Sequence, residues 1–386
     1  MWRNFKIVSD DSHFEGSPDM WRPYVAKEFQ QWVPKVVDLP TGGQGWLMPG
    51  SDKPVPLGTN LAAGRGYEGI KRYGISYADP DLVGAGDGAQ RLAEMDRDGI
   101  DSEILYPPVG GLRSLYGKLP RDAHVAVAQG YNDWLSRDYT AAEPHRMLGL
   151  AMLPPTTAQD AVDEMKRVQG KPGIYGVVLH QWPNGGKIPS PEDDLFWKAA
   201  QDSGMPLTFH IAFGGGPETE VIPENELNWA PINTLMTRGG SLTGYVCTRM
   251  INCGMFDRFP DLRFSIAESG AAWVPYYRES ADSNYLRHRH WAKLTLPQMP
   301  SYYINKHFLF GIQDDYAAVR MRNEIGVNNL TWGSDFPHTA CDWPHSDKLL
   351  DKMFEGVPEA DARRILGGNL AAHLKIDLDK VPAARR

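Results

Sequence analysis

Apolar residues along the chain gather into short β-branched or aliphatic runs, separated by longer stretches where they recur every three or four positions. That pattern predicts strands alternating with amphipathic helices, as in a parallel sheet wrapped by helical crossovers. Eight runs read as strands: Phe5 to Val8, Ser102 to Tyr106, Met147 to Met152, Ile174 to Leu179, Leu207 to Ile211, Arg263 to Ala267, Phe308 to Phe310 and Leu330 to Trp332. Between them, Asp122 to Tyr139 carries Val127, Tyr131, Trp134 and Leu135 on one helical face, and Ala158 to Val168 carries Ala158, Ala161, Val162 and Met165. A third helix is bracketed by its own signals, with Ser190 as N-cap, Pro191 at the first position, Asp193 three after the cap and Gly204 as the stop. Eight strands with helical crossovers is the count of a closed (β/α)8 barrel, an α/β fold of the TIM-barrel type. An open doubly wound sheet is the alternative; no Gly-x-Gly-x-x-Gly follows the first strand, which counts against a dinucleotide-binding version. The Gly/Pro-rich stretch from Leu39 to Tyr73 reads as an insertion after the first strand of a single domain spanning 1–386, not as a second core.

Composition narrows the partners. With 42% hydrophobic residues the chain supports a large core, while a net charge of −8 and no Lys/Arg run longer than a pair exclude a phosphate backbone as partner. No uncharged apolar run approaches the ~18 residues of a membrane span. The stretch from Met1 to Asp10 has no apolar segment of signal-peptide length, so a cytoplasmic protein with no membrane partner is expected. Cys247, Cys253 and Cys341 are an odd, widely spaced set without CxxC, which predicts buried free thiols in a reducing compartment.

In such a barrel the chemistry sits at the C-terminal ends of the strands, and there the polar residues concentrate. The first strand leads into Asp11, His13 and Glu15, the fourth into His180, the fifth contains His210, the sixth is followed by Glu268, and the eighth by Asp335 and His338. Imidazole and carboxylate suit Zn, Mn or Fe, and Asp11-x-His13 places two donors on one side of an extended chain. Taken singly each has a plainer reading: Asp11-x-His13 as a turn or cap, His180 as a strand cap, His338 as a partner behind a ligand. His288 and His290 read as a solvated face. Glu218, Glu220, Glu224 and Glu226 read as a solvated loop with a lid role as the alternative. Substrate choice is expected from loops such as Gly214 to Leu227 and Arg113 to Leu119. Trp182, Phe213, Trp273 and Phe336 hint at an apolar or aromatic substrate, although packing against the barrel explains them equally.

Several motifs carry a resemblance: Asp11-Ser12-His13 with Pro18-Asp19-Met20-Trp21, Met95 to Asp101, Tyr131-Asn132-Asp133-Trp134, Gly149-Leu150-Ala151 before Leu153-Pro154, Gly204-Met205-Pro206 ahead of His210, Phe259-Pro260-Asp261-Leu262, Glu268-Ser269-Gly270, and Gly333 to His338. The ending Ile365-Leu366-Gly367-Gly368-Asn369 also matches. Running nearly end to end, they resemble the amidohydrolase superfamily in its aminocarboxymuconate semialdehyde decarboxylase-like branch. The resemblance implies an amidohydrolase-like barrel with a divalent metal held by Asp11, His13, His210 and Asp335. Two departures stand out: the resembling decarboxylases place a catalytic His after the sixth strand with an acidic residue three positions on, where this chain has Glu268 and Ala271, and many long members have Glu three residues after the first-strand His, where Glu15 comes two after.

Three functions remain open on these residues. The first is a metal-dependent hydrolase or lyase acting on a small carboxylate or carbonyl compound, with Asp335, Glu268 or His180 as catalytic groups. Zinc is the first expectation for its ion. The second is an oxygenase on the same fold with two manganese or iron ions, because Asp11, His13, Glu15, His180, His210, Glu268, Asp335 and His338 exceed what one ion needs. The third is an inactive barrel serving as a structural subunit. The excursion and the Trp/Tyr-rich region from Trp273 to Trp291 predict a homo-oligomer or a hetero-oligomer with a related barrel.

Overall fold

The computed structural model describes residues 5–108, 119–211, 213 and 240–385. Eight parallel strands form one sheet: β1 (Val8–Ser9), β2 (Ser102–Leu105), β3 (Met147–Met152), β4 (Ile174–Leu179), β5 (Leu207–His210), β6 (Phe264–Ala267), β7 (Phe308–Ile312) and β8 (Leu330–Trp332), each paired with its neighbour in sequence order. Past β1 and β8 the ends of the sheet meet. Asp10 N–H donates to Trp332 O at 2.9 Å, Asp335 N–H to Asp11 O at 2.9 Å, and Ser12 bridges Phe336, which closes the barrel expected from the eight runs.

Side-chain alternation along these strands builds two layers of core. Leu105, Val177, Leu207, Phe209, Phe264 and Ile266 belong to the large cluster between strands and helices. Val8, Ile104, Tyr106, Leu148, Leu150, Val178 and Ala267 form a second cluster, joined by Leu370 and Leu374 of the helix Asn369–Leu374. That helix caps the N-terminal ends of the strands, where Asn369 Nδ2 donates to Leu330 O at 2.7 Å and His373 Nε2 to Leu207 O at 3.0 Å. The bottom is thus plugged, and the open end is the one that carries the strand-end donors.

The helices follow their signals. Ala158–Val168 has the expected bounds, and Arg121–Trp134 runs on through a wider turn, Leu135–Tyr139. Ser190 and Asp193 form a reciprocal capping box ahead of Asp194–Ser203, which Gly204 ends at φ 61°. The first strand starts later than Phe5 because the Asp101 carboxylate takes the Ile7 N–H at 2.8 Å, replacing a ladder partner with a side chain.

The excursion after β1 is more ordered than its composition suggests. Its Gln44–Leu47 and Val55–Pro56 join Lys35–Asp38, just ahead of it, in a three-stranded antiparallel sheet. Gly42 and Gly43 turn the first pair at φ 85° and 77°, a conformation that glycine adopts at least cost. Trp46, Met48, Leu57 and Leu61 of this segment are buried in the main core. All three cysteines are free, Cys247 fully buried. No helix among the described residues is long and apolar enough to cross a membrane.

His307 ties the base of β7 to the loop before β6. Its ring stacks on Phe256 with centroids 4.0 Å apart, and Nδ1–H donates to Leu262 O at 2.6 Å. Burial pushes its pKa down to about 4, against a partial offset from that carbonyl, so the fold holds it neutral. Because the folded value lies below the unfolded one, this contribution is complete above pH 6.5 and is lost as pH falls toward 4. The substitution His307→Asn keeps a donor for Leu262 O and removes the titration. Chemical denaturation at stepped pH should show the wild type losing about 2–3 kcal/mol relative to this variant across that window; parallel pH profiles would show that the pKa of His307 is the same in the folded and unfolded chain.

Candidate metal centre

Beyond β1 the chain stays extended between β8 and β2. His13 N–H donates to Phe336 O at 2.7 Å, Phe14 N–H to Tyr106 O at 3.0 Å, and Tyr106 N–H to Ser12 O at 2.8 Å. Alternation along an extended chain puts residues 11, 13 and 15 on one side, and all three side chains are buried there. Gly333 makes the close approach of β8 possible, since a Cβ at that position would lie 2.7 Å from Asp11 N.

Backbone conformation aims two further carboxylates. Glu268 has φ 57° directly after β6, and Asp335 has φ 55° three residues beyond the end of β8. Left-handed backbone costs a non-glycine residue ~1–2 kcal/mol, so its use at two donor positions marks a constraint set by the site.

The side chains converge. His13 Nε2 lies 3.1 Å from Asp11 Oδ1 and 3.4 Å from Asp335 Oδ1, and His210 Nε2 lies 3.9 Å from Asp11 Oδ2 and 3.6 Å from Glu268 Oε2. His338 joins from the turn after β8, with Nδ1 2.7 Å from Asp335 Oδ1 and Nε2 3.2 Å from Glu15 Oε1. Three overlapping donor groups result, Asp11 with His13 and His210, His13 with Glu15 and His338, and Glu268 with Asp335 and His338, the donor atoms within each lying within 4.8 Å of one another. The structure thereby brings together Asp11, His13, Glu15, His210, Glu268, Asp335 and His338. His180 is buried at the end of β4 but belongs to none of the three groups.

Electrostatics follow from that crowding. Burial raises the Asp11 pKa, with His13 opposing. Burial acts the same way on Asp335, yet the neighbouring His338 and His13 hold its carboxyl well below the usual range. His338 is pushed up to about 10: burial lowers it, and Asp335 and Glu15 more than compensate. His13 is raised for the same reason, with burial and His338 outweighed by Asp11 and Asp335. Both Asp11 carboxylate oxygens and both His13 ring nitrogens are buried without a hydrogen bond of good geometry. Facing donors that do not satisfy one another, in a carboxylate–imidazole set, fit a divalent cation.

Residues with no sequence signal hold this set in place. Arg91, buried, pairs with Glu103, donates Nη1–H to His13 O at 3.0 Å and lies 4.4 Å over the Phe336 ring. Asn60 Nδ2 donates to Glu15 Oε2 at 3.1 Å, and Tyr77 O–H to Glu15 O at 2.9 Å. The Tyr106 ring centroid is 5.6 Å from those of both His13 and His210, forming a floor under them. Of the aromatic residues expected near the mouth, Trp182 packs on Phe213 at 5.2 Å and Trp273 on Phe310 at 5.6 Å, so their burial is accounted for by the core. His288 and His290 are exposed, as expected of a solvated face. The acidic residues Glu218, Glu220, Glu224 and Glu226, the rest of 214–227, and 113–118 lie outside the described residues.

Comparison with known proteins gives a consistent picture. The profile of the family described as Amidohydrolase matches residues 81–375. The chain is 24% identical over 311 residues, 78% of each protein, to a 2-amino-3-carboxymuconate-6-semialdehyde decarboxylase from Dictyostelium discoideum. Its fold is similar to the crystal structure of 5-carboxyvanillate decarboxylase from Sphingomonas paucimobilis, with TM-score 0.69, 20% identity, and coverage of 97% of this chain and 100% of that one. The 5-carboxyvanillate decarboxylase from Novosphingobium aromaticivorans, solved with manganese and 4-hydroxy-3-methoxy-5-nitrobenzoic acid, is similar at TM-score 0.66 and 15% identity, covering 97% of both chains.

Removing one imidazole tests the centre directly. His210→Ala should weaken retention of a divalent ion by at least about 100-fold, measured by elemental analysis after gel filtration. The melting temperature of the metal-free protein should change little, because the packed layers lie below His210. Undiminished metal in that variant would place the ion elsewhere.

Proposed function

The chain belongs to the amidohydrolase family, and from that premise we propose that it is a manganese-dependent lyase that removes the carboxyl group of a small aromatic carboxylate. It is a metal-dependent enzyme of the hydrolase or lyase class acting on a small carboxylate or carbonyl compound. The observation that carries the finer reading is the placement of Glu268, whose Oε2 lies 3.6 Å from His210 Nε2 at the edge of the donor set. A carboxyl there stands where the relatives suggested by the sequence place an imidazole, and it supplies an acid of its own.

Asp11, His13, His210 and Asp335 are assigned to hold the ion. When bound, it supplies positive charge to the carboxylate or phenolate oxygen of the substrate. Asp335 Oδ1 lies 3.4 Å from His13 Nε2 and 2.7 Å from His338 Nδ1, which favours its ionised form, so it is assigned as a ligand and proton transfer is left to Glu268. Glu268 in its acid form gives a proton to the ring carbon bearing the carboxylate. The pair of the breaking C–C bond returns to the ring, carbon dioxide leaves, and the Glu268 carboxylate takes a proton from solvent, so one proton is consumed per turnover. His180, buried at the end of β4, is assigned to the substrate side of the mouth.

Manganese is preferred to zinc, the ion first expected, because Asp11, Glu15, Glu268 and Asp335 outnumber His13, His210 and His338 in the donor groups. The same excess of carboxylates favours a second reading, in which iron or manganese at this site activates dioxygen. We place the enzyme in the cytoplasm, consistent with its free cysteines. Assembly into a homo-oligomer, or a hetero-oligomer with a related barrel, is supported by Tyr276 and Trp291, which stay 76% and 74% exposed along Val274–His288 and just beyond it.

Glu268→Gln keeps the size of the side chain and removes its proton. Carbon dioxide release from a panel of hydroxybenzoates by the manganese-loaded enzyme should fall by about 100-fold or more. Unchanged release would remove Glu268 from the reaction, and substrate-dependent oxygen uptake without carbon dioxide would favour the oxygenase reading. Light scattering should give a mass above 43.1 kDa, the mass of one chain, and a value that stays there over a wide concentration range would rule out assembly.

A further inference from the structure

β7 lies between β6 and β8 in the barrel, so the residue just past its end, Gln313, stands between the strands that carry Glu268 and Asp335. We infer that Gln313 is a substrate-positioning residue whose Nε2 amide group donates to the carboxylate of the aromatic substrate. This inference rests on the reading of the site as one that takes an aromatic carboxylate, and it names the group that recognises that carboxylate.

Register sets the height of Gln313. Parallel pairing puts Phe310 beside Ile266 and Ile312 beside Trp332. Carried on along the strands, it brings Gln313 one position above Glu268 and level with Gly333, two positions below Asp335. Gln313 thus falls between the two carboxylates in height as well as in strand order.

Alternation sets its direction. Phe308, Phe310 and Ile312 belong to the outer cluster, whereas a Cβ on Gly311 would lie 2.7 Å from Asp10 Oδ2, on the inner side. Two residues on, Gln313 falls on that inner side, with no side chain beneath it at Gly311. Trp332, part of the outer cluster, donates Nε1–H to Gln313 O at 3.1 Å and so anchors the backbone from the opposite side.

Gln313 Nε2 is buried and has no hydrogen-bond partner among the described residues. A buried amide N–H without an acceptor is unfavourable, so its retention points to an acceptor that comes from outside the chain. The type of donor fits the surroundings. A Lys or Arg at this position would be captured as an ion pair by Glu268 or Asp335, while a neutral amide keeps its hydrogens available and still makes a charge-assisted bond to an incoming carboxylate. The reaction limits what this bond can do. As carbon dioxide forms, the carboxylate charge is lost, so a donor on that group holds the substrate at least as firmly as the transition state and governs affinity and orientation, not rate.

The test uses the full chain loaded with Mn2+, with Gln313→Leu to remove the amide at similar size and Gln313→Glu to replace the donor with an anion. Calorimetry measures binding of a panel of hydroxybenzoates and of the phenol that remains when each loses its carboxylate. Gln313→Leu should weaken hydroxybenzoate binding by about 10- to 100-fold, and Gln313→Glu by more, while phenol affinity stays within about threefold. On any hydroxybenzoate that releases carbon dioxide, KM should rise by the same factor with kcat held or raised, a split that loss of a structural contact or a proton donor would not give. Thermal melting without ligand should place Gln313→Leu at or above the wild type, because the substitution removes an unpaired buried amide. Equal losses for hydroxybenzoates and phenols, unchanged hydroxybenzoate affinity in both variants, or no hydroxybenzoate binding to the wild type would overturn the assignment. Carboxylate-selective loss in a protein that releases no carbon dioxide would sustain Gln313 and count against the lyase reading; carbon dioxide release with unchanged KM in both variants would do the reverse.

Discussion

Carboxylates gathered in a buried cleft repel one another, by about 4 kcal/mol for two unit charges 4 Å apart at the effective dielectric of a protein, unless positive charge is brought between them. At the mouth of this barrel Asp11, Glu15, Glu268 and Asp335 are all buried, and His13, His210 and His338 lie between them. The raised pKa of His13 and His338 is the response of the site to its own negative charge. Neighbouring features of the fold keep this arrangement in place. The left-handed backbones of Glu268 and Asp335 aim the acids inward, and Arg91 fixes the carbonyl of His13 from behind.

The barrel separates the part of the chain that stabilises from the part that reacts. Leu370 and Leu374 fill the lumen from below against Val8, Ile104 and Leu148, and the outer cluster is sealed by helices such as Ala158–Val168. Burying each such aliphatic side chain stabilises by ~1.5–3 kcal/mol, which offsets the local cost of a charged, strained mouth. The donors sit one layer above that packing, on strand ends closed by backbone bonds between the Asp10 region and the segment after β8.

Much of this was legible in the sequence, for reasons that differ from residue to residue. Leu207 to His210 and Phe264 to Ala267 show as strands because apolar residues that face helices alternate with small or polar ones that face the lumen. Donors were recognisable because each follows such a run, as Asp335 follows Leu330–Trp332. Glu15 fell one position short of the spacing seen in resembling proteins, yet strand alternation puts it beside Asp11 and His13. The true start of β1 was hidden, because the Asp101 carboxylate competes for the Ile7 amide from 94 positions away. Arg91, Asn60 and Tyr77 left no signal either: each acts on a residue distant in sequence, and nothing local distinguishes them from surface residues. The small antiparallel sheet was missed because Lys35–Asp38 carries two adjacent valines between exposed charges, with no period-two alternation.

Asn60 belongs to the excursion and Tyr77 lies just past its end, yet both grip Glu15 at the barrel mouth, while Trp46 steadies Tyr77 from the small antiparallel sheet. The identity of the centre is therefore written partly in a segment that contributes no strand to the barrel. Transplanting the strand-end donors alone into another barrel of this family would carry over the ligand letters without the brace that orients one of them. A lineage that shortened or exchanged this excursion would alter its metal chemistry while leaving every residue of the barrel strands untouched.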